Sequence, residues 1–182
     1  WYLKLFLKNK KTSRIKRIIK NELNNIYKKL YFKNKYFTHR DFHASNIMIK
    51  KDKLGLIDSQ DAIIGNPLYD VVSLIDDVRI KLPQVLQNTL FKYYIKKSKF
   101  KIKDYKIFKN DFDILSVQRN FKILGIFVRL HIRDNKSNYL RYLPYTWSLV
   151  ERRMQNPVFS KLHVLLKKYL PLKKLKKVKN AN

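Results

Sequence analysis

The chain has 182 residues, no cysteine and a formal net charge of +29, from 42 lysines and arginines against 13 aspartates and glutamates. Without cysteine the chain forms neither a disulfide framework nor a thiolate zinc site, which fits a reducing cytoplasm. Its longest apolar stretches, such as 123–128, are far too short to cross a bilayer. So large a charge would suit nucleic acid or another polyanion, but the cations are dispersed along the chain. We therefore favour a compositional bias towards lysine over a specific nucleic-acid interface.

Apolar periodicity and turn residues predict a mostly helical α+β chain with one small β-hairpin. The first predicted elements are a helix over 13–32, an aperiodic polar loop over 38–46, and hairpin strands over 46–50 and 53–58. Helices over 66–80 and 83–97 follow, and then a basic loop over 98–110. A long amphipathic helix over 111–133 comes next, and two further helices begin at Pro144 and Pro157, the second ending before Pro171. Residues 166–182 form a basic tail that could bind an anion weakly.

Two short polar loops, THRDFHASN and IDSQD, concentrate side chains suited to phosphoryl transfer. That reaction needs a carboxylate to receive the hydroxyl proton and oxygen ligands for magnesium. The catalytic loop of kinases, H-R-D-x-x-x-x-N, meets both needs and is followed by a metal-binding aspartate at the end of a hairpin. Here His39-Arg40-Asp41, with Asn46 and then Asp58, reproduces the spacing and the order. The sequence therefore predicts a kinase-type site.

A zinc site is an alternative interpretation of the first loop. His39, Asp41 and His43 alternate in sequence, and on a strand they would point to one side as three ligands. Structural zinc sites have four ligands, usually including cysteine or histidines that are separated in sequence. This loop supplies neither, so we favour the kinase interpretation.

Three segments resemble the aminoglycoside phosphotransferase-like kinases: FTHRDFHASNIMI (37–49), GLIDSQDAIIGNPLYDVVSLIDDVR (55–79) and QRNFKILGIFVRLHIRDNKSNYLRYLP (118–144). Within that family they are most similar to the bacterial branch that phosphorylates N-acetylmuramate and N-acetylglucosamine at the anomeric hydroxyl. Protein kinases differ, because their metal-binding aspartate begins a D-F-G motif, whereas Ser59-Gln60 follows here. The resemblance implies an enzyme that uses ATP and Mg²⁺ to phosphorylate a small amino sugar.

The resemblance also implies a role for most polar residues of the two loops. Asp41 would be the catalytic base, and Asn46 and Asp58 would hold magnesium. Support of the catalytic loop is implied for His39, Arg40, His43 and Asp70. Contact with the sugar is implied for Asp61 and Arg79.

The same resemblance assigns 1–165 to the C-terminal lobe of a kinase-like phosphotransferase. No strand-rich, glycine-containing stretch precedes residue 38, so we expect the N-terminal lobe that grips the nucleotide to be absent from this chain and to be encoded upstream. On that expectation the chain alone is inactive, because positioning of the phosphates is most of the catalysis. The alternative is a catalytically inactive lobe, or a basic module, that binds an anionic partner.

Overall fold

The computed structural model describes residues 12–101 and 104–169, so the end of the last helix before Pro171 and most of the predicted basic tail lie outside the described residues. Two compact units divide the chain: residues 30–116, the loop unit, and residues 1–29 with 117–182, the helical unit. The helices and strands are, in chain order, α1 Thr12–Tyr27, β1 Tyr36–Thr38, β2 Ile47–Lys50, β3 Lys53–Leu56, β4 Ile63–Gly65, α2 Tyr69–Ile75, α3 Gln84–Lys97, α4 Tyr105–Asp134, α5 Leu143–Arg153 and α6 Ser160–Tyr169. A mostly helical chain with short strands confirms the predicted α+β class.

The predicted hairpin is present in the loop unit. Strands β2 and β3 pair antiparallel, with Ile47 opposite Leu56 at the open end. Lys51 and Asp52 connect them with positive φ angles of 47° and 61°, the left-handed backbone that matches the twist of a two-residue hairpin turn. The hairpin therefore brings Asn46, which precedes β2, close to the residues that follow β3.

A second antiparallel pair, β1 with β4, is absent from the sequence-based prediction. Tyr36 lies opposite Gly65, and Thr38 lies opposite Ile63. Each strand has only three residues, too few for an alternating pattern to show, and the polar loops and the hairpin separate them in sequence. Glycine is needed at position 65, because a Cβ there would lie 2.6 Å from the Thr38 Oγ1 atom.

The predicted boundaries of α1 and α2 are wrong. Helix α1 ends more than a turn early, because Leu30 and Phe32 are buried in the loop unit. Helix α2 begins three residues later than predicted: the Asn66 side-chain oxygen accepts the Leu68 N–H at 2.9 Å, which makes a turn ahead of the helix. It also ends early, at the C-cap Asp76, whose φ of −102° and ψ of 39° are not helical.

Helix α4 begins six residues earlier than predicted and takes up part of the basic loop. Asp104 caps it, because its Oδ1 atom accepts the Lys106 N–H at 2.7 Å. The predictions for α3 and for the helix opened by Pro144 are confirmed to within a residue. Pro157 opens a 3₁₀ turn that leads into α6 rather than the helix itself.

Aromatic packing and one buried carboxylate hold the loop unit together. The Phe32 ring centroid lies 4.8 Å from those of Phe100 and Phe108. Both oxygens of Asp111 accept backbone N–H groups, from Tyr31 at 3.0 Å and from Phe32 at 2.9 Å. Burial raises the pKa of the Asp111 carboxyl, although the two amide bonds act in the opposite direction. The segment before β1 is thus fixed to α4.

In the helical unit, α1 packs against α6, and an ion pair joins Lys161 Nζ to Glu22 Oε2 at 3.0 Å. The Gln118 side-chain amide donates to the Leu23 carbonyl at 3.1 Å. Trp147 of α5 is only 1% exposed and is a large part of this unit's core. Within the described ranges, no helix is long and apolar enough to cross a membrane.

Candidate active site

The backbone of the polar loop after β1 is held by one carboxylate. Asp70, in the first turn of α2, accepts the His39 N–H at 2.7 Å with Oδ2 and the Arg40 N–H at 2.9 Å with Oδ1. Arg40 has a φ of 74°, a left-handed conformation that costs a residue with a side chain about 1 kcal/mol or more. Two charge-assisted hydrogen bonds to Asp70 offset that cost, so the loop's entry is fixed before Asp41.

The His39 side chain joins this loop to the second one. It is 1% exposed, and its Nε2 atom lies 3.0 Å from the Ile57 carbonyl oxygen. Because a carbonyl only accepts, Nε2 carries a proton and donates in this contact. Among the described residues Nδ1 has no hydrogen-bond partner. The Ile57 bond fixes the residue directly before Asp58.

Asn46 is held at both its side chain and its backbone. It ends a short 3₁₀ turn and is 8% exposed. Its side-chain NH₂ donates to the Asp41 carbonyl at 2.9 Å, and its own carbonyl accepts the Ile57 N–H at 3.1 Å. Since the nitrogen is used, the amide oxygen is the atom that remains for a ligand.

Asp58 follows Ile57 and is exposed. Its φ of 70° is left-handed, which aspartate tolerates better than most residues, and its Oδ1 atom accepts from Gln60 Nε2 at 2.9 Å. Carboxylate and amide oxygens suit Mg²⁺, which commonly binds one or two protein groups, phosphate oxygens and waters. The oxygen donors of Asn46 and Asp58 therefore fit magnesium.

The zinc interpretation finds no support in the described part of the chain, where no three histidine, aspartate or glutamate side chains gather as metal ligands. His39 instead points its Nε2 atom at a backbone carbonyl. His43 is 8% exposed and lies in the turn between Asp41 and Asn46: its N–H donates to the Asp41 carbonyl at 3.0 Å, and its carbonyl accepts the Asn46 N–H at 2.9 Å.

The carboxylate of Asp41 makes no hydrogen bond to any described residue, and Asp41 is partly exposed. Its backbone carbonyl accepts two hydrogen bonds, from Asn46 and from His43. The backbone is thus fixed while the side chain stays available, which is what a base that takes a proton from a substrate needs.

The fold places Arg40 in contact with Asp61, but it does not bond Arg79 to the catalytic loop. The Arg40 Nη1 atom donates to the Asp61 carbonyl at 3.1 Å, while the Asp61 side chain is exposed. Within the described residues, no hydrogen bond or ion pair joins Arg79 to the catalytic loop; its partner is Asp77. The sequence analysis missed both Asp77 and Gln60. Gln60 could have been found, because it lies two residues after Asp58 in the same short loop.

Apolar side chains are exposed on the strands beside these polar groups. Met48 and Ile57 are 54% and 50% exposed, and further exposed members of this surface are Phe37, Ile49, Leu54, Leu56, Ile63 and Ile64. Exposed apolar side chains in this number mark a surface that binds a ligand or another chain.

The model of the phosphotransferase enzyme family matches residues 4–105, more than half of the chain, and the chain belongs to this family.

Curated relatives define the similarity more closely. The chain is 33% identical over 138 residues, 71% of its length, to a protein from Pseudomonas aeruginosa named N-acetylmuramate/N-acetylglucosamine kinase. Proteins of the same name are 28% identical over 142 residues in Caulobacter vibrioides and 29% identical over 148 residues in Neisseria meningitidis serogroup B, which is 75% and 79% of this chain. The matches cover the C-terminal part of these relatives, and 40%, 38% and 44% of their lengths. The chain therefore spans about two fifths of the length of the curated relatives it matches.

Proposed function

We propose that this chain is the substrate- and magnesium-binding lobe, residues 1–165, of a cytoplasmic kinase that transfers the γ-phosphate of ATP to a hydroxyl of an N-acetylated amino sugar. The observation that carries the proposal is the hydrogen-bonded frame around the two loops. Asp70 fixes the amides before Asp41, and Asn46 bonds to the Asp41 carbonyl and to the residue before Asp58. The frame holds the three candidate side chains on one connected piece of backbone.

Asp41 acts as the base in this proposal. The residue is partly exposed and its carboxylate makes no hydrogen bond to a described residue. It can therefore accept the proton of a sugar hydroxyl as that oxygen attacks the γ-phosphorus, while the bond from the γ-phosphorus to the bridging oxygen breaks and ADP leaves. His39 and Asp70 do not touch the substrate; they hold the loop through the contacts given above. Preorganisation of this kind is most of what a phosphotransferase contributes.

Asn46 and Asp58 would hold Mg²⁺ through side-chain oxygens. A bound magnesium ion neutralises charge on the β- and γ-phosphate oxygens. Asn46 contributes an oriented amide oxygen because its nitrogen is bonded to Asp41. Gln60 steadies the Asp58 carboxylate by donating to one of its oxygens.

The exposed apolar surface of β2 and β3 supports ATP as the donor. Met48 and Ile57 are half exposed and lie two residues after Asn46 and one residue before Asp58, so a flat nucleotide base can lie on them while its phosphates reach the oxygen donors. We propose that the part of the relatives that this chain does not match supplies the remaining grip on the phosphates. The family members' names motivate N-acetylmuramate and N-acetylglucosamine as the sugars to test.

The metal role can be tested with Mn²⁺, which replaces Mg²⁺ at oxygen sites and broadens nearby NMR signals. With ATP present, we expect Mn²⁺ to broaden the amide signals around positions 41, 46 and 58 first. Asp58→Asn removes the charge, and asparagine tolerates the left-handed backbone at this position. In this variant Mn²⁺ should no longer broaden the signals around positions 41, 46 and 58 before the others. Asp52→Asn is the matched control, because Asp52 is also exposed with a positive φ. Equal broadening in both variants would contradict the assignment.

A further inference from the structure

Asp77 is a buried carboxylate that the phosphoryl-transfer frame does not use. It lies two residues after the end of α2 and is 1% exposed. Its Oδ1 atom accepts the Arg79 N–H at 2.9 Å. Its Oδ2 atom is buried and has no hydrogen-bond partner among the described residues. An unpaired buried carboxylate oxygen is costly, and a cation beside the carboxylate reduces that cost.

Arg79 is the cation beside Asp77, and the N–H groups of its guanidinium make no hydrogen bond to a described residue. Its Nη1 atom lies 3.9 Å from Asp77 Oδ1, near enough for an ion pair and too far for a hydrogen bond. The Arg79 side chain is 35% exposed and makes no hydrogen bond to any described residue. The buried Asp77 therefore holds a guanidinium whose N–H groups remain open to a ligand.

The position of this pair relative to the catalytic loop follows from α2. Asp70 in the first turn of α2 is bonded to the catalytic loop, and Asp76 is the C-cap at the other end. At 1.5 Å per residue, the helix separates them by about 9 Å. Arg79 follows three residues after this C-cap, beyond the end of α2 that lies away from the catalytic loop.

We propose that Arg79 recognises a carboxylate on the sugar substrate and that Asp77 is the positioning residue that orients Arg79. A guanidinium pairs with a carboxylate through two parallel N–H···O bonds. N-acetylmuramate carries a carboxylate and N-acetylglucosamine does not, so this pair sets the preference between the two sugars. This inference rests on the proposed function, because it assumes that the site takes an amino sugar.

The test is an NMR titration of the 182-residue chain with each sugar. The parent should bind N-acetylmuramate about tenfold more tightly than N-acetylglucosamine, the scale of one charged hydrogen-bonded pair. Arg79→Gln should remove that preference and leave N-acetylglucosamine binding unchanged, which a general loss of structure would not do. Arg14→Gln, a change of an exposed arginine on α1, is the control and should keep the preference. Asp77→Asn should reduce it, provided that its spectrum shows a folded chain.

Equal affinity of the parent for the two sugars, or an unchanged preference in Arg79→Gln, overturns the role of Arg79. A preference lost in Arg79→Gln but kept in Asp77→Asn overturns the role of Asp77. Binding of neither sugar contradicts both this inference and the amino-sugar substrate. If the preference holds while the Mn²⁺ experiment shows no effect of Asp58→Asn, the proposed magnesium site is wrong and the inference stands.

Discussion

Replacing Asp70 by alanine tests the frame that holds the catalytic loop. Each Asp70 oxygen accepts one backbone N–H, at 2.7 Å from His39 and 2.9 Å from Arg40. A hydrogen bond to a charged group contributes about 1.5–3 kcal/mol, and because Asp70 is only partly buried we take the lower value for each. The two bonds then sum to about 3 kcal/mol. Release of the left-handed Arg40 returns about 1 kcal/mol.

We therefore expect Asp70→Ala to lower the free energy of unfolding by about 2 kcal/mol. Asp70→Asn keeps one accepting oxygen, so it should cost about half as much. Urea unfolding followed by circular dichroism measures these values. Amide hydrogen exchange is the local readout, and in Asp70→Ala the His39 and Arg40 amides should exchange about tenfold faster.

Asp61→Ala is the matched control, because the exposed Asp61 side chain makes no hydrogen bond to a described residue. It should change stability by less than about 0.5 kcal/mol. Unchanged protection of the two amides in Asp70→Ala would show that the loop's backbone is fixed by something other than this carboxylate.

Two further changes test the supports of the loop unit. Gly65→Ala should destabilise the chain by about 1–3 kcal/mol, because the new Cβ would lie 2.6 Å from Thr38 Oγ1. The control is Gly55→Ala, whose Cβ would lie 3.9 Å from the Met48 side chain, and it should be neutral or slightly stabilising in the same urea assay. Equal losses of stability in the two variants would be inconsistent with the β1–β4 register. Burial raises the pKa of the Asp111 carboxyl, so its contribution to stability is fully present below the unfolded-state pKa of about 3.9 and is lost as pH rises through the higher folded-state value. The stability difference between the parent and Asp111→Asn should therefore change against the parent as the pH rises above about 3.9. A change in the parent's favour would show that the amide bonds outweigh burial.

Local signals in the sequence predicted the elements that depend on residues close together in the chain. The hairpin turns at Lys51 and Asp52, and α3 and α5 follow Pro83 and Tyr142 as the proline pattern indicates. The same is true of the candidate site, since six of its residues lie from position 39 to position 58. Their spacing predicted a kinase-type site, and the resemblance of three longer segments predicted the phosphotransferase family, which the family match confirms.

Interactions between distant residues were not predictable in this way. The β1–β4 pair depends on the fit of Gly65 against Thr38, which no local pattern reveals. Helix α1 ends early because Asp111, far along the chain, takes the amides of Tyr31 and Phe32. The roles assigned to Asp41, Asn46 and Asp58 stay predictions, because hydrogen bonds show how these residues are held and not what they do to a substrate.

The central claim is most directly tested by phosphoryl transfer in a chimera, in which this chain replaces the matching part of the Pseudomonas aeruginosa kinase. With radiolabelled ATP and N-acetylmuramate or N-acetylglucosamine, we predict magnesium-dependent transfer by the chimera and none by the 182-residue chain alone. Asp41→Asn should lower kcat at least ~100-fold, the usual effect of removing a positioned general base, while Asp52→Asn should leave it unchanged. A chimera that folds but transfers no phosphate, or one in which Asp41→Asn turns over at the parent rate, would contradict the account.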